Sequence, residues 1–225
     1  MVTTPHSRRM VTLQDFEWAD LIDDADMVRT LISPESSYAK AAAAAMGRAI
    51  DDEIITAAFA TSLTGKDGTT STSFPAAQQV SVGSPAAGLT IAKLVEAKKK
   101  LDANTVDPSI PRYIAVSPEQ VEDLLNNTTV TSSDYNTVRA LVQGDIDTFV
   151  GFKFITTTRL ATNASSQRRC IAWAQDGIKL AIGKDVMARI SERDDKSYST
   201  QVYYCMSVGC TRMEEDKVVE LICAE

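Results

Sequence analysis

The chain has 225 residues, 44% hydrophobic and 24% charged, a composition that supports one large or two small globular bodies with a core of their own. Its 23 basic and 30 acidic residues leave a net charge of −7, which argues against tight, non-specific binding to nucleic acid phosphates. No apolar run approaches the roughly 20 residues of a membrane span, and "MVTTPHSRRM" lacks the apolar stretch of a signal peptide, so a soluble protein made in the cytoplasm is expected.

In "RRMVTLQDFEWADLID" an alternating stretch at Met10 to Gln14 gives way to helical spacing at Phe16, Ala19 and Leu21-Ile22, which predicts a strand leading into a short helix. A second short helical piece is expected at Met27 to Ile32. Ser33-Pro34-Glu35 then supplies a cap, a first-turn proline and an early acid, the start signals of a long helix over Ser36 to Thr61. At a rise of about 1.5 Å per residue such a rod is roughly 37 Å long. It is also thin: five consecutive alanines, Ala41 to Ala45, give up most of the burial that an inner stripe of leucines would supply. Met46, Ile50, Ile54 and Ala57 form the one narrow apolar stripe, and the alanines supply helix propensity in place of packing.

Thr61 to Gly88 holds four of the ten glycines and many Ser and Thr, and reads as a long loop or flexible flap. Ile91, Leu94, Val95, Lys98 and Leu101 predict a helix over Thr90 to Leu101. "RYIAV" reads as a buried strand, and Ser117-Pro118-Glu119-Gln120 is a capping box that opens another helix. A helix from Ser132 or Ser133 through Val142, ended by Gly144, and a strand at "GFKFITTT" follow.

The last third reads as β-rich, with strands at Arg169 to Ala174, Val186 to Arg193, Ser199 to Val208 and Lys217 to Cys223, and a short helix near Gly177 to Ile182. Val202, Tyr204, Met206 and Val208 place an apolar face on the longest strand, opposite Tyr203 and Ser207.

Little in this chain points to chemistry. The four cysteines, Cys170, Cys205, Cys210 and Cys223, have no C-x-x-C pair and no nearby histidine, so they read as buried thiols of a reducing compartment and not as metal ligands. His6 is the sole histidine and lacks a nucleophile or acid at a recognisable spacing. "TGKDGTT" shares only Gly65-Lys66 with a phosphate loop, because Ala60 and Asp67 stand where a glycine and a hydroxyl are needed. The acids Asp23-Asp24-Asp26 and Asp51-Asp52-Glu53 lack the alternating oxygens and glycine of a calcium loop. Short basic clusters at Arg8-Arg9, Lys98 to Lys100 and Arg168-Arg169 read as solvated faces. No catalytic, metal or cofactor site is expected.

The run "TTPHSRRMVTLQDFEWADLIDDADMVRTLISPESSYAKAAAAAMGRAIDDEIITAAFAT" resembles the major capsid proteins of tailed bacteriophages and prophages, of the Hong Kong 97-type shell fold. "YIAVSPEQVEDLL", "GFKFITTTRL" and "VYYCMSVGCTRMEEDKVVELICAE" resemble the same family, so the likeness covers nearly the whole chain. It implies an α+β fold with a long spine helix, a peripheral domain with long antiparallel strands and an axial α/β domain. By that likeness residues 1–35 hold the returning strand of an extended loop and entry helices, 36–110 the peripheral domain with the spine at 36–61 and a flap at 61–88, 111–182 the axial domain, and 183–225 closing strands of mostly the peripheral domain. Relatives generally carry several dozen residues before "PHSRR", so the N-terminal arm is expected to be missing here.

The resemblance implies a non-enzymatic protein that builds an icosahedral shell from hexamers and pentamers. Scaffolding and portal proteins are the implied partners, and the packaged double-stranded DNA is touched only weakly. Arg8, Arg9, Asp20, Asp23 and Asp24 are expected near subunit edges as registering charges, with Trp18 as an interface or core anchor. Reversing the charge at Arg8-Arg9 is then expected to disturb assembly without lowering the melting temperature. An encapsulin-like nanocompartment shell is the alternative within this class, and a soluble α/β enzyme or ligand-binding protein, marked by a deep polar pocket, is the alternative outside it.

Overall fold

A computed structural model describes residues 8–22, 35–83, 86–126 and 148–225. In chain order they form β1 (Arg9–Met10), β2 (Gln14–Ile22), α1 (Glu35–Phe59), β3 (Ser62–Thr64), β4 (Thr70–Thr72), β5 (Gln79–Val80), α2 (Ile91–Ala103), β6 (Arg112–Val116), α3 (Pro118–Asn126), β7 (Thr148–Phe149), β8 (Phe152–Thr156), β9 (Arg168–Ala174), β10 (Ile178–Arg193), β11 (Ser199–Arg212) and β12 (Val218–Cys223). The fold is mixed α+β, in two compact units.

Of the described residues, the larger unit takes those up to Met10, Ile55–Lys179 and Thr211–Glu225. Its six-stranded sheet has the order β5-β12-β9-β6-β8-β7. β6 and β8 run parallel and β9 runs antiparallel to both β6 and β12. The central strands are buried, as their continuous apolar sequences require: Ile114, Val116, Ala172, Val218 and Leu221 are all fully enclosed. α2 adds Leu94, Ala97 and Leu101 to this core. It starts where the sequence signal says, with the Thr90 hydroxyl accepting from the Lys93 N–H at 3.3 Å. α3 is capped in the same way, the Ser117 hydroxyl accepting from the Gln120 N–H at 3.4 Å.

Thr61 to Gly88 is not a bare loop. β3 pairs antiparallel with β4, β1 pairs with β3, and β5 joins the large sheet parallel to β12. Gly65 and Gly68 take positive φ at the β3–β4 turn, which is why glycines stand there. Among the cysteines, Cys170, Cys205 and Cys223 are buried as expected, whereas Cys210 is only half-buried. Arg168-Arg169 is not a solvated face. Arg168 donates to Glu225 at 2.8 Å, and Arg169 pairs with Glu220, itself buried, while lying over the Phe59 ring.

The smaller unit takes Val11–Ile54 and Leu180–Cys210. Its sheet has the order β10-β11-β2, and β11 pairs antiparallel with β2 from Thr200 opposite Ile22 to Val208 opposite Gln14. The expected short helix at Phe16 to Ile22 is therefore a strand. Its apolar spacing suits either structure when read alone, and nine register pairs with β11 decide the matter. The expected short helix at Gly177 to Ile182 is likewise the start of the 16-residue strand β10. The helices expected at Met27 to Ile32 and at Ser132 to Val142 lie outside the described residues.

In the smaller unit α1 lies against the sheet through Met46, Ala49 and Ile50, which meet Phe16, Trp18, Leu180, Tyr204, Met206 and Val208. Ala42 and Met46 are buried, but Ala41, Ala43, Ala44 and Gly47 are exposed. The rod therefore carries one narrow buried stripe and leaves alanine surfaces bare.

Candidate assembly surface

With no cluster of metal-binding side chains among the described residues, the features that call for a functional explanation are exposed surfaces. The foremost is β10. From Ile182 to Glu192 every residue is exposed, and Ile182, Val186, Met187 and Ile190 are 58%, 42%, 40% and 52% accessible. Alternation sends Ile182, Val186, Ala188 and Ile190 to one face. Leu180, nearer the start of β10, packs under α1 with Met206 and Val208.

At the turn after β10, Arg193 holds Asp195 through two hydrogen bonds of 2.7 Å and reaches Gln201 at 3.0 Å. Ser197 and Tyr198 both adopt positive φ, and Tyr198 is 66% exposed. Two consecutive non-glycine residues in that conformation cost energy, so this turn is held by its surroundings and presents an aromatic ring at its tip. On the neighbouring strands the Tyr203 hydroxyl donates to Glu17 at 3.0 Å, and this bond pushes its pKa up to about 12. The Lys184 ammonium sits 3.1 Å from the Cys205 sulfur.

The charges singled out in the sequence fare differently. Arg8 is exposed. Arg9 is committed within its own chain, its Nε donating to the Met213 carbonyl at 2.7 Å and its Nη2 to Glu215 at 2.8 Å, with the side chain only 7% accessible. Trp18 is half-buried in the small apolar cluster. Asp20 is exposed and accepts from the Leu21 N–H at 2.9 Å. Asp23 and Asp24 lie outside the described residues. The exposed row on β10 was missed in the sequence because Gly177 to Ile182 read as a helix, which broke an alternation that runs unbroken from Ile178 to Ile190 apart from Lys184.

A polar depression of about 440 Å³ in the larger unit is lined by Lys98, Asp102, Ser109, Arg112 and Gly151, among others. Within it Arg112 binds Asp102 at 2.6 Å and donates to the Val106 carbonyl at 3.2 Å.

A protein family described as "Phage capsid protein" matches residues 1–225. The chain belongs to the phage capsid protein family. Among solved structures, the capsid of Ralstonia phage GP4 superposes with a TM-score of 0.71 at 11% identity, covering 95% of this chain and 74% of that one. The capsid of cyanophage P-SCSP1u gives 0.69 at 17% identity over 96% and 74% of the two chains. A structure from Mycobacterium phage Che8 gives 0.63 at 20% identity over 92% and 70%. No curated protein matches. The fold is thus the Hong Kong 97-type shell fold, and this capsid protein is a structural component of a tailed-phage head that assembles with its own copies.

Proposed function

We propose that many copies of this capsid protein, as hexamers and pentamers, close an icosahedral shell around double-stranded DNA and catalyse no reaction. The shell is built in the bacterial host cytoplasm, with a scaffolding protein guiding closure and a portal protein taking one vertex. The match of the phage capsid protein family to residues 1–225 carries this reading. Two further features support it. A net charge of −7 suits a container, since weak contact lets packaged DNA slide where a basic lining would trap it. A long exposed strand and a half-bare helix direct binding energy outward, where modest contacts add over a closed lattice.

Electron microscopy of the purified protein, over a range of salt and crowding conditions, tests this. Closed particles of uniform diameter are expected. A chain that stays monomeric throughout overturns the proposal.

A further inference from the structure

Two thiols meet in the core of the larger unit. On the antiparallel pair β9 and β12, Cys170 stands opposite Leu221 and Cys223 opposite Arg168, so the cysteines share one face and neighbour each other along the diagonal. Both are wholly buried, and both are free thiols. The Cys170 thiol donates to the Cys223 sulfur, a bond that raises the Cys170 pKa well above the ordinary thiol value and lowers that of Cys223. The Lys93 ammonium adds to the second effect. It is itself buried and anchored on the carbonyls of Ala87 at 2.6 Å and Ile222 at 2.9 Å, beside the residue that precedes Cys223. A thiol in contact with a sulfur that is held towards its thiolate is the arrangement from which disulfides form.

We infer that Cys170 and Cys223 are a latent disulfide, which closes across β9 and β12 on exposure to a small disulfide such as oxidised glutathione and reopens under a dithiol reductant.

The other cysteines offer no rival pair. Cys205 and Cys210 both belong to β11 in the smaller unit, and their odd spacing sends them to opposite faces of that strand, roughly 17 Å apart. Diagonal neighbours on paired strands sit near the upper end of the Cα separation that a disulfide spans, about 7 Å. The hydrogen bond between the sulfurs means that the two side chains already lean across this diagonal, so a slight shear of β12 completes the approach.

The exchange balances without a metal or an enzyme. The Cys223 thiolate attacks one sulfur of oxidised glutathione, forming a mixed disulfide and expelling a glutathione thiolate. Cys170 gives up its proton and attacks the Cys223 sulfur, the new S–S bond forms, and the second glutathione leaves as a thiolate. The protein loses two electrons and two protons, and oxidised glutathione takes them up as two thiols. Because both sulfurs are enclosed, exchange takes place during folding or while β12 is locally unzipped. The use of the bond rests on the proposed shell: thiols stay reduced where the head is built and meet oxidant once the particle is outside the cell, where a staple between β9 and β12 resists unfolding.

The full chain tests this, both held folded and refolded from denaturant, in glutathione buffers of rising oxidised fraction, followed by denaturation and alkylation with iodoacetamide. In the oxidising buffers two of the four thiols are expected to escape alkylation, and peptide mapping should join the Cys170 peptide to the Cys223 peptide. Dithiothreitol should return all four. The linked chain should melt roughly 5–10 °C higher, since the bond closes a loop of about 50 residues. Cys170→Ser and Cys223→Ser should each abolish the link, and Cys205→Ser should leave it. If the serine variants do not fold, peptide mapping of the unchanged chain decides alone. Four alkylated thiols in the most oxidising buffer, in both preparations, overturn the inference. So does a link that maps to Cys205 or Cys210, or glutathione carried on Cys170 or Cys223 with no link between them.

The two proposals fail separately. A linked chain that never closes into particles leaves this disulfide and removes the shell. Closed particles whose Cys170 and Cys223 stay free in every buffer leave the shell and remove the disulfide.

Discussion

Arg212 is wholly buried and still charged, and its surroundings account for that. Its guanidinium donates to the carbonyls of Ala58 and Ala60, both at 2.9 Å, and lies 5.2 Å from the Phe74 ring centre. Those carbonyls belong to the end of α1, where backbone acceptors have no partner within the helix, so this one side chain serves as its C-terminal cap. Burial lowers its pKa, with Glu215 as the main opposing influence. Arg212→Met leaves the carbonyls buried and unpaired and is expected to lower unfolding stability by about 3 kcal/mol, measured by denaturant titration. Arg212→Lys should recover only part, because a compact ammonium cannot fork to two carbonyls and stack on a ring. Glu225 shows a pH effect of known sign. Its carboxyl is held below the usual range chiefly by the Arg168 hydrogen bond, with help from Ser117 and Gln120. A carboxyl whose pKa is lower folded than unfolded contributes stability that is complete above about pH 4.3 and is lost as pH falls through the folded value. The melting temperature of the unchanged chain should therefore exceed that of Glu225→Gln at pH 6, and the gap should close on acidification towards pH 3.

Two glycines separate the demands of a helix from those of a sheet. Gly47 stands in the middle of α1, where a Cβ would meet nothing within 4 Å. Glycine in a helix interior costs about 1 kcal/mol relative to alanine, so Gly47→Ala should raise the stability of the isolated chain by that amount. A fall in particle yield in the same variant would show that another copy fills the gap. Gly209 in β11 is the opposite case: a Cβ there would lie 2.3 Å from the Thr12 carbonyl oxygen, and backbone cannot step aside. Gly209→Ala is expected to lower the melting temperature, at a cost of about 1–3 kcal/mol. The contrast also explains α1 as an element. Its buried stripe at Ala42 and Met46 holds it to its own sheet, and its alanine length leaves other sides open to approach.

For the whole molecule, Arg8 and Arg9 no longer form one test. Arg9 is spent on Met213 and Glu215 inside its own chain, so reversing it should destabilise the monomer and lower the melting temperature. Arg8 is exposed, and Arg8→Glu should reduce particle yield, counted by electron microscopy, while leaving the melting temperature unchanged. The two compact units each have an apolar cluster of their own. The larger is built on the six-stranded sheet, and the smaller on Met46, Met206 and Val208.

Where a signal is local, sequence alone determined the outcome. The start of α2 at Thr90, the capped start of α3 at Ser117, the strand at Arg112–Val116 and the length of α1 all follow from side chains bonding their own neighbouring backbone or from helix propensity over many turns. Likeness along the chain also indicated the capsid fold. Only tertiary structure decided that Phe16 to Ile22 is a strand, that Thr61 to Gly88 contains β3, β4 and β5, and that β10 begins at Ile178. Each of those segments is short or ambiguous in period, and its backbone groups are satisfied by a partner strand that its own residues do not reveal. Which apolar residues of β10 stay in the open was equally invisible, because exposure depends on what the rest of the chain fails to cover.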